Sequence, residues 1–254
     1  MRRARHNAAM CTNYTPTARV RLLAARLGLA HLPEDAWPSE VFPGIDAPIV
    51  VRGDGLGNAS GHGHSDSAPR CLLARFGLVP RWSKDAAQAK DLARRTYNAR
   101  SETAAAKPSY RGPWQARQWA LVPMENFFEP CWEDAPAHGM RAVRWRIARA
   151  DAQAFAVAGL WERWADPAGG AAITSFTLLT TNGDGHPLLG RMHRPDDEKR
   201  TPVIVPPDRY EEWLNATPEG ALAMMGPTPA QDLVGEPAPR VKPVRAVSAQ
   251  ATLF

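Results

Sequence analysis

Cys11 directly follows Met10, and that adjacency is where unusual chemistry could begin. If translation starts at Met10, or if the Met10–Cys11 bond is cut, cysteine becomes the N-terminus. It then carries an α-amine and a thiol on adjacent carbons. The amine has an intrinsic pKa of about 7.7–8.0, so part of it is neutral and nucleophilic near pH 7. The thiol, at about 8.5, is lowered by nearby cations. Such a pair attacks an aldehyde twice: the amine condenses to an imine, and the thiol closes a thiazolidine ring. With Met1 to Ala9 still attached the nitrogen is an amide and no ring can form. Residues 1–10 are therefore read as an extension absent from, or removed in, the mature protein. A cysteine near a chain start is also a common incidental residue, and by itself Cys11 leaves both readings open.

Charge distribution adds a second pointer. Between Arg70 and Ala120 there are eleven Lys/Arg against three Asp/Glu, a net +8 in a chain whose total is +5. Phe76, Trp82, Tyr97, Tyr110, Trp114 and Trp119 are interleaved with these cations. Cations that track a phosphate backbone beside flat rings on which bases stack are what single-strand binding requires. A solvated basic face with its aromatics in the core fits the same composition.

The elements that must position these residues are mostly strands. Ile49–Val51, Cys71–Val79, Trp119–Val122, Asn126–Cys131, Arg141–Ile147, Ala154–Trp161, Ile173–Thr180 and Val203–Val205 read as strands between Gly or Pro clusters. Thr15-Pro16 is expected to open a helix running to Pro33, Ser83 to cap a helix over Lys84–Arg95, and Asp208–Leu214 to be helical. The predicted class is α+β: one domain, mainly an antiparallel, barrel-like sheet with flanking helices. It is expected to span residues 11–225, followed by a Pro-rich arm over 226–254 that is extended from Pro227 onward. With 44% apolar and 22% charged residues a sizeable core is available. The longest apolar stretch, Ala154 to Trp161, has eight residues, far below the ~18 of a bilayer span. The basic start lacks an apolar region behind it, so no secretory signal is read there. Cys11, Cys71 and Cys131 are too few and scattered for a disulfide framework. A monomer in the cytoplasm, associated with the nucleoid when bound to DNA, and with no membrane partner, is the expectation.

Several short motifs then fall into register: Phe76-Gly77-Leu78-Val79-Pro80-Arg81-Trp82-Ser83-Lys84-Asp85, Asn98-Ala99-Arg100-Ser101-Glu102, Leu121-Val122-Pro123, Phe127-Phe128-Glu129, Ala158-Gly159-Leu160-Trp161-Glu162, Thr177-Leu178-Leu179-Thr180-Thr181 and Met192-His193-Arg194. With Cys11 ahead of them, the chain resembles the SOS response-associated peptidase (SRAP) family, the abasic-site processing proteins, from Met10 to about Val205. The resemblance implies binding of single-stranded DNA and covalent capture of the C1′ aldehyde of an abasic site as a thiazolidine. It also implies self-processing peptidase activity that exposes the cysteine and, in some members, DNA lyase activity. By position, Cys11 would be the nucleophile and Asn98 would hydrogen-bond at the linkage. Arg100 would hold a flanking phosphate, and Glu129 would move protons during imine formation. His193 would assist sugar ring opening and the reverse reaction, while Thr180 would contact the lesion sugar or phosphate and Trp82 would stack on a base. Arg194 takes the family's arginine place beside the histidine, with Arg200 as its competitor. No cofactor and no metal are implied.

Each of these residues also has a plainer job available. Glu129 could pair with an arginine, Asn98 could be a turn residue, His193 a solvated side chain and Trp82 a core residue. His186 is a weaker rival for the histidine role. His62, His64 and Asp66 alternate in a Gly-rich loop but lack a fourth ligand, so they are read as surface polar residues. Two other functions compete: an N-terminal-nucleophile cysteine peptidase or amidohydrolase that uses its own amine as base, and a non-covalent single-strand DNA-binding module.

Overall fold

The computed structural model describes residues 13–17, 29, 32–33, 36–53, 68–133, 135–139 and 141–240. The elements are, in order, β1 (Asn13–Pro16), β2 (Asp46–Arg52), β3 (Pro69–Phe76), α1 (Ala86–Ala93), β4 (Asn98–Arg100), α2 (Ser101–Ala104), α3 (Arg111–Gln115), β5 (Trp119–Cys131) and β6 (Val143–Arg149). Then come β7 (Phe155–Trp164), β8 (Ile173–Asn182), β9 (Arg200–Pro202), β10 (Ile204–Val205), α4 (Tyr210–Asn215), α5 (Pro218–Ala223) and β11 (Leu233–Pro237).

The eleven strands among the described residues all belong to one sheet. The pairings β5–β2, β2–β3, β3–β8, β8–β7 and β7–β5 return to their starting strand, which gives the expected barrel-like circuit. Every ladder is antiparallel except those that join β8 to β3 and to β4. The mixed α+β, mostly-sheet class expected from the pattern is the one found.

The apolar runs are continuous because both faces of the central strands are buried. In β5, Ala120, Val122 and Met124 belong to one core with Tyr14, Ile49, Phe76, Phe127 and Phe176. The alternate residues Trp119 and Leu121 belong to a second core, covered by Trp114 of α3, Trp213 of α4 and Ala221 of α5. Period-2 alternation therefore divides one strand between two cores rather than between core and water. The indoles of Trp119 and Trp213 donate to the carbonyls of Ala216 and Ala120, at 2.8 and 2.9 Å, so burying them leaves no orphaned donor. Among the described residues no helix is long and apolar enough to cross a membrane.

Four expectations change. Thr15-Pro16 does not open a helix; both residues lie in β1, where the Thr15 hydroxyl donates to Asn126 Oδ1 at 3.1 Å. Pairing with β5 outweighs local capping propensity there, and the rest of the expected helix lies largely outside the described residues. The cap of α1 is Asp85, whose carboxylate accepts from the Gln88 N–H at 2.7 Å, while the Ser83 hydroxyl donates back to Pro80. The two strands read at Trp119–Val122 and Asn126–Cys131 are one strand of thirteen residues. It is irregular opposite β1, where Thr15 faces Asn126 and Pro16 faces Met124, so Glu125 is an extra residue. That bulge breaks the alternation from which strand continuity is read. The Pro-rich stretch, expected to run extended over the surface, contributes β11, which pairs with β6 from Leu233↔Arg149 to Pro237↔Trp145.

Gly77 sets the end of β3. Its φ is +112°, its N–H donates to the Phe176 carbonyl at 2.9 Å, and a Cβ there would sit 2.3 Å from the carbonyl oxygen of Ala93 at the end of α1. Only glycine lets α1 approach this closely, and α1 leads directly into β4. Gly77→Ala is expected to destabilise the fold by at least about 2 kcal/mol. In a thermal melt followed by circular dichroism the midpoint should fall by about 4–8 °C or more.

Candidate active site

A buried carboxyl group and a buried imidazole meet at the end of β5. Glu129 lies on β5 opposite Trp145 of β6. Met192 forms a bridge to Cys131, and the next N–H, that of His193, donates to the Pro130 carbonyl at 2.8 Å. These backbone contacts set His193 beside Glu129, with Nε2 3.2 Å from Oε2 and both side chains almost fully buried. His193 adopts φ +62°, a left-handed conformation that histidine tolerates better than most residues. A non-glycine residue held there is the kind of backbone strain that collects at functional sites.

Burial disfavours the imidazolium of His193. The Glu129 carboxylate favours it through charge and hydrogen bonding, Lys199 opposes it and Asp197 supports it, and the net shift is upward. His193 thus keeps its proton to higher pH than an ordinary histidine. A buried acid–base pair of this kind can hold and transfer a proton out of reach of bulk water.

A second group sits on β4 and β8. The strands run parallel, with Asn98 opposite Leu178 and Arg100 opposite Thr180. The Asn98 carbonyl accepts from the Tyr110 hydroxyl at 3.0 Å. Thr180 is buried, its hydroxyl 3.4 Å from the Ala99 carbonyl. Arg100 is exposed and pairs with Glu198 at 2.8 Å. The segment from His193 to Arg200 joins this group to the Glu129–His193 pair.

The two competing arginines separate clearly. Arg200 is buried, bound by Glu102 through both nitrogens at 2.8 Å, by Glu198 at 2.8 Å and by the Thr180 carbonyl at 2.7 Å. It is an internal cation that ties β9 to β8 and α2. Arg194 is exposed, with its guanidinium 4.8 Å above the Trp132 ring. His186 is likewise structural: its Nδ1 accepts from the Leu188 and Leu189 N–H groups, and its Nε2 lies 2.9 Å from the Thr228 carbonyl.

Trp82 is 46% exposed, with its indole N–H donating to the Pro108 carbonyl at 3.1 Å, so the ring is held at the surface rather than in the core. The other rings of the basic segment behave differently: Phe76, Trp114 and Trp119 are buried. Several of its cations are already paired, Arg75 with Asp46, Arg81 with Glu162 and Arg100 with Glu198.

Cys11 lies outside the described residues, as do His62, His64 and Asp66. The other two cysteines are poor nucleophiles. Both are buried, and burial pushes the Cys71 thiol up to about 12. Among the described residues no group of three or more His, Cys, Asp or Glu side chains could hold a metal ion.

Two polar clusters escaped the sequence reading. Glu162 is buried and both its oxygens accept from Arg81, at 3.0 and 2.8 Å. Its signal was an acid on the alternate set Ala156, Ala158, Leu160, Trp164 of β7, which is otherwise apolar. Glu40 accepts from the Asn13 amide and from Arg144, and Arg240 lies 3.3 Å away. Arg144 also lies 3.3 Å over the Phe128 ring. Nothing in the types or spacing of these residues marks the cluster.

The family model described as SOS response associated peptidase (SRAP) matches residues 10–242. Abasic site processing protein YoqW of Bacillus subtilis (strain 168) is 31% identical over 162 residues, which cover 63% of this chain and 65% of that protein. Abasic site processing protein HMCES of Gallus gallus is 28% identical over 173 residues, 59% of this chain and 47% of that protein. The chain thus matches two-thirds or less of the length of these curated relatives. A crystal structure of a Bordetella bronchiseptica protein superposes with a TM-score of 0.76 at 28% identity, covering 90% of this chain and 99% of that one. A Bacteroides thetaiotaomicron protein, at 22% identity and TM-score 0.68, shares the fold. Order of motifs, sheet circuit and matched length agree: the chain belongs to the SOS response associated peptidase (SRAP) family.

Proposed function

We propose that the protein processes abasic sites by capturing them covalently in single-stranded DNA through Cys11, after exposure of that residue as the N-terminus by self-processing. The observation that carries this reading is the buried Glu129–His193 pair at the end of β5. Asn13, the first residue of β1, pairs with Phe128, the neighbour of Glu129. Cys11 precedes Asn13 by two residues, a reach of at most about 7 Å. The names of the relatives YoqW and HMCES support the same substrate.

In the proposed reaction His193 protonates the ring oxygen while Glu129 takes the C1′ hydroxyl proton, and the lesion sugar opens to its C1′ aldehyde. The neutral amine of Cys11 attacks C1′, and Glu129 relays the two protons released from nitrogen to the C1′ oxygen, which leaves as water to form the imine. The thiol then adds to the imine carbon, and its proton ends on nitrogen. The balance is aldehyde plus aminothiol giving thiazolidine plus one water. Asn98 would hydrogen-bond at the linkage, and Arg100 and Arg194 would hold flanking phosphates. Trp82 would offer a ring to a base, stacking being worth about 1–3 kcal/mol per base. Thr180, being buried, would act through its position beneath Arg100. Lyase turnover would follow from the same imine if strand cleavage precedes ring closure.

Protein made in its native host is expected to show an intact mass that begins at Cys11 and to form an adduct with an abasic oligonucleotide that survives a denaturing gel. Cys11→Ala should give no adduct; an adduct that persists in that variant, or forms while earlier residues remain attached, refutes the chemistry.

The adduct rate should rise with pH as the Cys11 amine loses its proton and fall again as pH passes the raised pKa of His193. Glu129→Gln is expected to slow adduct formation by about 100-fold or more. Removing the carboxylate also takes away what holds the imidazolium, so the descending limb should move to lower pH. A limb that stays in place would show that His193 does not supply the proton.

A further inference from the structure

We infer that Glu198 is an internal competitor for the phosphate seat at Arg100, and so sets the affinity of the protein for single-stranded nucleic acid; this rests on the reading of Arg100 as a phosphate contact. Arg100 ends β4 with its side chain 44% exposed, and its Nη1 lies 2.8 Å from Glu198 Oε2. A carboxylate at that distance occupies the position a phosphate oxygen would take. The other oxygen of Glu198 lies 2.8 Å from Nη1 of the buried Arg200. One carboxylate therefore bridges an internal cation and an external one.

The two halves of that bridge differ in strength. Arg200 keeps both oxygens of Glu102 and the Thr180 carbonyl whether or not Glu198 is charged. The Arg100 half is open to solvent, where such pairs are worth about 0–1 kcal/mol. A phosphate can displace it by moving a side chain, without rearranging the backbone. The segment that carries Glu198 is anchored independently: the Asp197 N–H donates to the Arg194 carbonyl at 3.0 Å, the Lys199 N–H to Asp184 at 3.1 Å, and Lys199 Nζ to the His193 carbonyl at 3.4 Å.

Displacement has two consequences. Binding must first break an existing ion pair, which lowers affinity. It also leaves Glu198 held by Arg200 alone, a carboxylate close to the bound phosphate and next in sequence to Asp196 and Asp197. Arg100 therefore contributes less than a full positive charge to binding. An intact strand is held weakly at this seat.

The test uses fluorescence anisotropy with a labelled, intact single-stranded oligonucleotide over a salt series, on the full chain and on Glu198→Gln, Arg100→Gln and the double variant. Glutamine keeps an oxygen for Arg200 and removes the charge. Glu198→Gln is expected to bind about two- to five-fold tighter and to steepen the slope of log K against log salt by about 0.7. Arg100→Gln should bind more weakly with a shallower slope, and adding Glu198→Gln to it should change nothing further. If Arg100→Gln weakens binding while Glu198→Gln leaves it equal or weaker, the competitor role is overturned and the phosphate contact stands. If Arg100→Gln binds like the parent, the phosphate contact and the competitor both fall. Melting midpoints identify any variant that misfolds, in which case Glu198→Ala replaces it with the same expected gain.

Discussion

β5 must satisfy four other strands along thirteen residues, and the architecture follows from how it does so. Its first half pairs with β7 and β2, its second half with β6 and β1. The change of partners coincides with the irregularity around Glu125, and the strand is buried on both faces before it. A strand in this position can end only where its neighbours run out. That end brings Glu129 beside the imidazole of His193 and joins the circuit of five strands to the segment that returns toward β9. The proton-transfer pair is thus a consequence of sheet closure rather than an addition to it.

Electrostatics around this frame are more balanced than linear charge suggests. The basic stretch read from 70 to 120 draws its partners from elsewhere in the chain: Asp46 on β2, Glu162 on β7, and Glu198 ahead of β9. Local net charge overstates the field such a surface presents, because acids distant in sequence are brought alongside. A guanidinium already paired in solution is also held in place, so less side-chain freedom is lost when it exchanges one anion for another.

Strands were legible wherever apolar alternation or a continuous apolar run reflected burial, as in β2, β7 and β8. Thr15-Pro16 misled because a hydroxyl followed by proline satisfies a helix start locally, and the competing contact with Asn126 lies 111 residues away. Of the six rings in the basic stretch, the plainer reading holds for the buried Phe76, Trp114 and Trp119, and the surface reading for Trp82. Composition could not divide them, since burial depends on which side of a strand or turn each ring leaves. Glu129 and His193 could be named from motif order, but their contact could not, because the Met192–Cys131 bridge that aligns them crosses 61 residues of chain. The burial of Arg200 was beyond reach for a similar reason: Glu102, which binds it, is contributed from nearly a hundred residues away.

Asn13 and Arg240, near the first and last of the described residues, meet at one carboxylate, Glu40, with Arg144 of β6 between them. Chain entry and chain exit therefore share an anchor. A pull at Arg240, such as a tethered polymer would exert, reaches Asn13 of β1 and Arg144 of β6 through the one carboxylate of Glu40. A bulky fusion placed after residue 240 would start close to Asn13, the first residue of β1, so engineered appendages belong at other exposed turns, such as the one at Gly169.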